Sequence, residues 1–504
     1  MPNLLHDALL APLENRDTPL LYVGNTTVIT GGEFYRLVQR YAATLADLGL
    51  QPGDRLAVQV TKSAQALALY GAAVTAGIVF LPLNTAYTAA EVSYFVENAQ
   101  AKLLIGDPAQ ASSLNEVASK AGAQFLTMAA DGSGSFTDHA AGQAETFQAA
   151  DRGPEDIAAF LYTSGTTGRS KGAMLSQKNL LSNAEVLVKE WRFTDEDVLL
   201  HALPIFHTHG LFVASNVVFL AGGSMIFQPG FKVDEVIAAL PRATSMMGVP
   251  TFYTRLLDDP RFDNTLTQHM RLFTSGSAPL LAETHIAFET RTGHRILERY
   301  GMTETNMNTS NPYDGERRAG TVGFPLPGVE LKITDPSTGQ SLPQGEPGMI
   351  EVRGDNVFQG YWQMPEKTKE ELRNDGFFIT GDIGVIDTDG YVSIVGRQKD
   401  LIITGGFNVY PKEIELVFDE HPDVLESAVI GLPHPDFGEA VTCVVVAEKG
   451  ATVDLAGLED MARDKLARFK QPKAIFIVDE LPRNTMGKVQ KNILRDQYRG
   501  HFSS

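Results

Sequence analysis

The sequence runs to 504 residues, 43% hydrophobic and 20% charged, a globular composition that excludes a long disordered or low-complexity chain. At this length one hydrophobic core usually splits, so two or three domains are expected. A formal net charge of −19 argues against nucleic acid or an anionic membrane as partner, yet it is compatible with a local basic pocket for a small anion.

No Lys or Arg precedes Arg16, so no secretory signal is expected. From Phe34 the apolar positions Phe34, Leu37, Val38, Tyr41, Leu45 and Leu48 keep helical spacing, with Gly49 where the helix should stop. Residues 51–54 read as a turn and 56–60 as a strand. The apolar stretch 67–83 is interrupted by Gly71, Gly77 and Pro82 and is short for a bilayer span, so it reads as a buried helix followed by a buried strand. Strand-like runs recur at 102–106 and 123–128, and this alternation implies an α/β architecture with parallel sheets. Residues 129–150, with Asp131-Gly-Ser-Gly-Ser135, read as a loose surface connection.

From about Gly323 shorter strands are punctuated by turns at 335–339 and 387–390, which suggests a β-rich subdomain. The last hundred residues mix strands (428–431, 441–446) with helices (455–467, 490–498), enough for a small α+β domain. The expected division is a large N-terminal domain, 1–396, and a small mobile one, 397–504. Cys443 is the only cysteine, which rules out an internal disulfide and suits a reducing, cytoplasmic setting.

The sharpest local signal is Leu161-Tyr-Thr-Ser-Gly-Thr-Thr-Gly-Arg-Ser-Lys-Gly172, after a strand-like run at 157–161. Gly165 and Gly168 allow a tight turn that aims N–H groups at an anion, and Thr163, Ser164, Thr166 and Thr167 add hydroxyl donors. Lys171 supplies a point charge for phosphate. A Walker loop would continue from its Lys into Ser or Thr and a helix. Here Gly172 and another strand-like run follow, with Ser176 as the candidate helix cap. On composition alone a phosphate cradle and a flexible polar hairpin both remain open.

This run resembles the signature loop of the acyl-adenylate-forming enzymes, the family of acyl-CoA synthetases, peptide-synthetase adenylation domains and firefly luciferase. Further motifs resemble that family in the same order: Phe206-His-Thr-His-Gly210, Tyr300-Gly-Met-Thr-Glu304, Thr380-Gly-Asp382, Gly396-Arg-Gln-Lys-Asp400, Gly405-Gly-Phe-Asn-Val-Tyr-Pro411 and Pro482-Arg-Asn-Thr-Met-Gly-Lys488. One departure is Ser170, where many relatives have Pro, which loosens the loop.

The resemblance implies attack of a carboxylate on the α-phosphorus of ATP, with positioning and charge neutralisation as the main catalytic work. Glu304 looks like the Mg²⁺ carboxylate and Thr303 an α-phosphate contact. Gly276, Ser277, Ala278 and Tyr300 would form the adenine slot, flanked by Glu298, Gly301 and Met302. Asp382 is similar to the family's ribose acid, and Arg397 to a ribose or phosphate contact. Lys488 is similar to the mobile catalytic lysine that bridges the acid and the α-phosphate. Lys399 occupies the hinge position, about which the C-terminal domain would rotate, and Gly405, Gly406 and Phe407 would line the path of CoA.

Over nearly the whole chain the sequence looks like the branch of this family that makes malonyl-CoA. A dicarboxylate brings a second, non-reacting carboxylate into a closed pocket, where a fixed guanidinium is expected to pair with it. Arg255, on a helix opened by Pro250, and Arg299, beside the Tyr300 loop, are the candidates. Either could instead form a surface ion pair, and Arg255 has Asp258 and Asp259 close by. His207, Thr208 and Met307 are expected to shape the rest of the pocket, and an adaptable Met307 would admit methylmalonate. A CoA ligase for another short acid, or an adenylation enzyme loading a separate carrier protein, are the enzymatic alternatives. A nucleotide-binding regulator built on an inactive ligase is disfavoured by the joint presence of Lys171, Glu304, Asp382, Arg397 and Lys488.

Overall fold

The computed structural model describes residues 3–24, 26–163, 170–404, 407–484 and 487–502. The chain packs as two units, Met1–Glu330 with Val352–Phe378, and Leu331–Glu351 with Ile379–Ser504. Most of the β-rich segment therefore packs with the C-terminal residues.

The first unit contains two sheets. In the six-stranded sheet the order is Gln124–Thr127, Leu103–Gly106, Arg55–Gln59, Val79–Pro82, Ile157–Thr163 and Lys171–Ser176. All neighbours are parallel except the last pair. Leu103–Gly106 and Val79–Pro82 are buried at every position, as parallel strands covered on both faces must be. The stretch 67–83 is a helix, Ala64–Ala76, ended by left-handed Gly77, and then a strand, as expected. The first long helix, Gly31–Asp47, opens on a capping box between Thr30 and Glu33, which satisfies end N–H groups.

The antiparallel register of the last pair sets Thr163 opposite Lys171, so one sheet end holds both residues. Ser176 caps the following helix, Gln177–Glu190, with Asn179 reciprocating.

In the second, nine-stranded sheet the strands Val198–His201, Ser245–Gly248, Leu272–Ser275 and Leu297–Met302 run parallel in adjacent positions. Loops at the carboxyl ends of such strands gather on one edge, where open α/β sheets bind ligands. Leu297–Met302 then turns back antiparallel to Asn306–Ser310, which puts Thr303, Glu304 and Thr305 at a hairpin tip. Beneath these loops Tyr253, Phe262, Phe273 and Phe288 pack edge-on, with Tyr253 and Phe288 centroids 5.3 Å apart at 84°.

Residues 129–150 are not wholly a surface connection. Ser135–Ala140 is a short helix whose Phe136 is fully buried and meets the Tyr41 ring edge-on at 5.1 Å.

In the second unit, a four-stranded sheet runs in the order Glu330–Thr334, Gly348–Arg353, Phe378–Ile386 and Val392–Arg397. A five-stranded sheet pairs Val424–His434 antiparallel with Gly438–Ala447 and buries Cys443. The helix Pro411–Asp419 packs on it through Ile414 and Phe418. Among the described residues no helix is long and apolar enough to cross a membrane.

The segment joining the strand Val198–His201 to the π-helix His209–Ser215 is pinned from below. Lys62 Nζ donates to the His201 carbonyl (2.8 Å) and lies 2.9 Å from His201 Nδ1, while His201 Nε2 and the Ser215 hydroxyl both reach the Gly210 carbonyl. A Cβ at Gly210 would sit 2.1 Å from the Pro204 carbonyl oxygen. Gly210→Ala is therefore expected to destabilise the chain by about 1–3 kcal/mol. That cost should lower the denaturation midpoint, whereas an unchanged midpoint would mean that the turn yields.

Candidate functional site

At the loop end of the six-stranded sheet, Lys171 and Glu304 are both buried. The Thr163 hydroxyl donates to Glu304 Oε1 at 3.3 Å, and the Tyr361 hydroxyl lies 3.0 Å from the same oxygen. Lys171 Nζ donates to both carboxylate oxygens of Glu371 and to the Tyr361 oxygen, each at 3.0 Å. The Tyr361 hydroxyl is also 2.6 Å from Glu371 Oε2. Burial, then the flanking carboxylates, push the Tyr361 phenol far up, so it remains protonated. Burial pushes the Glu371 carboxyl up, but hydrogen bonds from Tyr361, Lys367 and Lys171 outweigh it and leave the group below its usual range.

Lys171, expected from the sequence to supply a point charge for phosphate, is thus held by a carboxylate of its own chain. Tyr361 and Glu371 were not legible as partners. The segment bearing them is placed by backbone pairing, with Met174 N–H to the Gly360 carbonyl and Trp362 N–H to the Gly172 carbonyl. Ser164, Gly165, Thr166, Thr167 and Gly168 lie outside the described residues.

The second cluster forms at the strand ends of the nine-stranded sheet. Arg299 is 3% exposed, and its Nε and Nη2 have no hydrogen-bond partner. Burial pulls its guanidinium down to about 9, which still leaves a cation at neutral pH. A Cβ at Gly276 would sit 2.4 Å from the guanidinium carbon, so the bare backbone there makes room for the group. His209 is fully buried, with Nδ1 at 3.2 Å from the Ser277 hydroxyl and Nε2 unpartnered. Burial first, then the Arg299 charge, hold its imidazole neutral well below the ordinary histidine range. Three unpartnered ring and guanidinium nitrogens in one buried neighbourhood are suited to a carboxylate.

His209 is the imidazole of the His-Thr-His motif that joins this cluster. His207, the imidazole expected to shape the pocket, stands two residues earlier, and its Nδ1 accepts the His209 backbone N–H at 3.2 Å. Thr208 is buried and donates to Asn306 Oδ1 at 2.9 Å, and Met307 packs against Gly301, where a Cβ would lie 2.5 Å from its methyl carbon. Tyr300, Met302 and Thr303 follow on the same hairpin, and Ser277 and Ala278 follow Gly276 in the turn after Leu272–Ser275.

Two expected residues stand elsewhere. Arg255 is exposed on the helix Pro250–Leu257. Two residues, about 200° of helix rotation, separate it from buried Tyr253, whose hydroxyl donates to the Thr274 carbonyl. It belongs to the solvent face and not to the Arg299 pocket. Glu298 is buried behind the strand, 3.1 Å from His285 Nδ1, with burial raising its carboxyl and that contact opposing. Its carboxylate is engaged by the His285 ring.

In the second unit, Asp382 and Arg397 are register partners on neighbouring strands, with Nε to Oδ1 at 2.7 Å and the Asp382 side chain buried. Lys399 is exposed on a single turn, Gln398–Asp400. Lys488 is exposed, and its backbone N–H and carbonyl both bond Asn484, closing a tight turn. Phe407 is exposed and stacks on Phe469 at 4.6 Å. Gly405 and Gly406 lie outside the described residues.

Comparison with known proteins gives a consistent picture. Residues 12–362 match the AMP-binding enzyme family, and residues 413–488 match the AMP-binding enzyme C-terminal domain. Malonate–CoA ligase of Arabidopsis thaliana is 36% identical over 480 residues, covering 89% of this chain and 78% of that one. Oxalate–CoA ligase of the same plant is 33% identical over 513 residues, covering 98% and 99%. The crystal structure of ATP-bound MatB from Rhodopseudomonas palustris has a TM-score of 0.98 and 58% identity, covering 100% of both chains.

His209 and His201 are both held neutral by burial, His201 with a further push from Lys62. The unfolded chain takes up protons at these positions below about pH 6.5 while the folded chain does not. Their stabilising contribution is complete above that value and is lost as pH falls. The melting temperature is expected to drop from about pH 7 to pH 5, with a shallower drop in His209→Asn. An unchanged slope in that variant would contradict the assignment.

Proposed function

The chain belongs to the AMP-binding enzyme family, and from that membership we propose that it joins malonate to CoA through a malonyl-AMP, releasing AMP and pyrophosphate from ATP. The observation that carries the reading is the buried Arg299, with its unpaired Nε and Nη2 beside the unpaired His209 Nε2. A monocarboxylate leaves such a group unsatisfied once its only carboxylate goes to the phosphorus. A dicarboxylate has one to spare, and its pairing recovers the several kcal/mol that an isolated buried charge costs.

Thr208 and Met307 bound the acid, and Met307 can shift to admit an α-methyl group, which makes methylmalonate a second substrate in this proposal. His207 closes the same pocket. The turn 276–278 and the Tyr300 ring take the adenine, and Asp382 accepts from the ribose hydroxyls with Arg397 beside it. Thr303 contacts the α-phosphate.

For Mg²⁺ the candidate is the buried carboxylate of Glu304, with the Thr163 hydroxyl near it, and no cluster of three acids, histidines or cysteines occurs among the described residues. That donor set fits a hard cation that keeps several waters and takes phosphate oxygens. When bound, Mg²⁺ supplies positive charge against the phosphate oxygens. Glu304 would hold it in place.

In the first half-reaction Lys488 bridges the acid and the α-phosphate, which stabilises the charge that gathers on the phosphate oxygens. Rotation of residues 397–504 about Lys399 then withdraws Lys488 and presents Gly405, Gly406 and Phe407 to CoA, whose thiol attacks the acyl carbon and expels AMP. The free, buried Cys443 suits a reducing compartment, for which the cytoplasm is proposed.

Arg299→Gln is expected to raise the KM for malonate about 100-fold and leave that for ATP within a few-fold. An unchanged malonate KM would place Arg299 outside the acid site. Lys488→Ala is expected to abolish malonate-dependent ATP–pyrophosphate exchange while sparing the reaction of supplied malonyl-AMP with CoA. Equal loss of both half-reactions would remove Lys488 from the adenylation step.

A further inference from the structure

We infer that Glu371 is a built-in competitor for Lys171, a counter-ion the triphosphate must displace, and that the Tyr361 hydroxyl ties this displacement to Glu304. The inference rests on the ligase reading for the identity of the phosphate ligand. A protonated lysine has three N–H donors. Those of Lys171 meet three acceptors, both Glu371 oxygens and the Tyr361 oxygen, each at 3.0 Å. Lys171 is 7% exposed, so water is not at hand to replace a lost partner. The ammonium can reach a phosphate only by exchanging one anion for another.

The exchange does not strand Glu371. Lys367 Nζ lies 3.0 Å from its Oε1, and the Tyr361 hydroxyl lies 2.6 Å from its Oε2. Two lysines share one carboxylate, and the partly exposed one stays when the buried one leaves. Glu371 thereby lowers the affinity of an empty site for anions in general while letting a triphosphate, with its larger charge, prevail.

Tyr361 has one hydroxyl proton and two carboxylate neighbours, Glu371 Oε2 at 2.6 Å and Glu304 Oε1 at 3.0 Å. In the arrangement seen, the shorter contact takes the proton, and among the described residues the Thr163 hydroxyl, at 3.3 Å, is the donor left to Glu304 Oε1. Departure of Lys171 removes a positive charge from beside this pair of carboxylates. Glu304 is then left more in need of a cation. Phosphate capture by Lys171 and cation capture by Glu304 should therefore reinforce each other.

The test is calorimetric ATP binding to the full chain without malonate or CoA, so that no turnover occurs. Glu371→Gln, which keeps the shape and removes the charge, is expected to tighten ATP binding about tenfold. Lys367→Met, at a partly exposed position, should weaken it about threefold by strengthening the Glu371–Lys171 pair, and should have no effect in the Glu371→Gln background. A purely structural role would not give opposite signs in the two variants. Tyr361→Phe should shrink the gain in ATP affinity that Mg²⁺ brings; an undiminished gain overturns the coupling to Glu304. If the wild type binds ATP but Glu371→Gln leaves binding unchanged or weaker, Glu371 is not a competitor. If the wild type binds no ATP, the ligase reading itself fails.

Discussion

A guanidinium buried with two unpaired donors is costly, and much of the surrounding structure of the first unit serves to hold it. Arg299 sits at the end of a parallel strand whose neighbours fix its height in the sheet, and Gly276 supplies the space that a side chain would deny it. Tyr253 ties its helix to the Thr274 carbonyl, over a ring cluster that leaves little room to adjust. The charge persists because burial lowers its affinity for protons without bringing it near neutrality. A site of this kind selects by what it leaves unsatisfied, which is why a ligand with a spare carboxylate is the natural occupant.

The cation proposed for the phosphates is held differently in the same unit. Lys171 is not left unpaired but shares Glu371 with Lys367, so one cation is committed and the other is exchangeable. An unpaired donor set gives specificity, because only a matching acceptor repays its burial. A paired cation gives discrimination by charge, because the incoming group must outcompete a carboxylate already in place. A small acid needs the first device, and a highly charged phosphate chain suits the second.

Much of the architecture could be read from local pattern. The 31–47 helix has helical apolar spacing, a capping residue and a glycine stop, and the strands at 79–82 and 103–106 are apolar throughout because both faces are covered. Ser176 is recognisable as a cap because a strand-like run ends at it and a helical pattern starts. The helix around Phe136 escaped because six residues between glycine-rich flanks carry too little periodicity. The site was legible as a set of motifs but not as a set of contacts. Arg255 and Arg299 look alike in sequence, and only the pairing of distant strands decides that one is buried and the other faces solvent. His207 and His209 differ by two positions, and which imidazole turns inward is set by the π-helix that follows. Lys171 and Glu371 lie 200 residues apart, so no local signal joins them.

The acid the enzyme prefers is the most direct test of a dicarboxylate site. Initial rates of AMP formation with ATP, Mg²⁺ and CoA should be measured for malonate, methylmalonate, succinate, acetate and a medium-chain fatty acid. A dicarboxylate site built on Arg299 and His209 predicts a kcat/KM for malonate about 100-fold or more above that for acetate, with the fatty acid lower still. Acetate or the fatty acid matching malonate would contradict it.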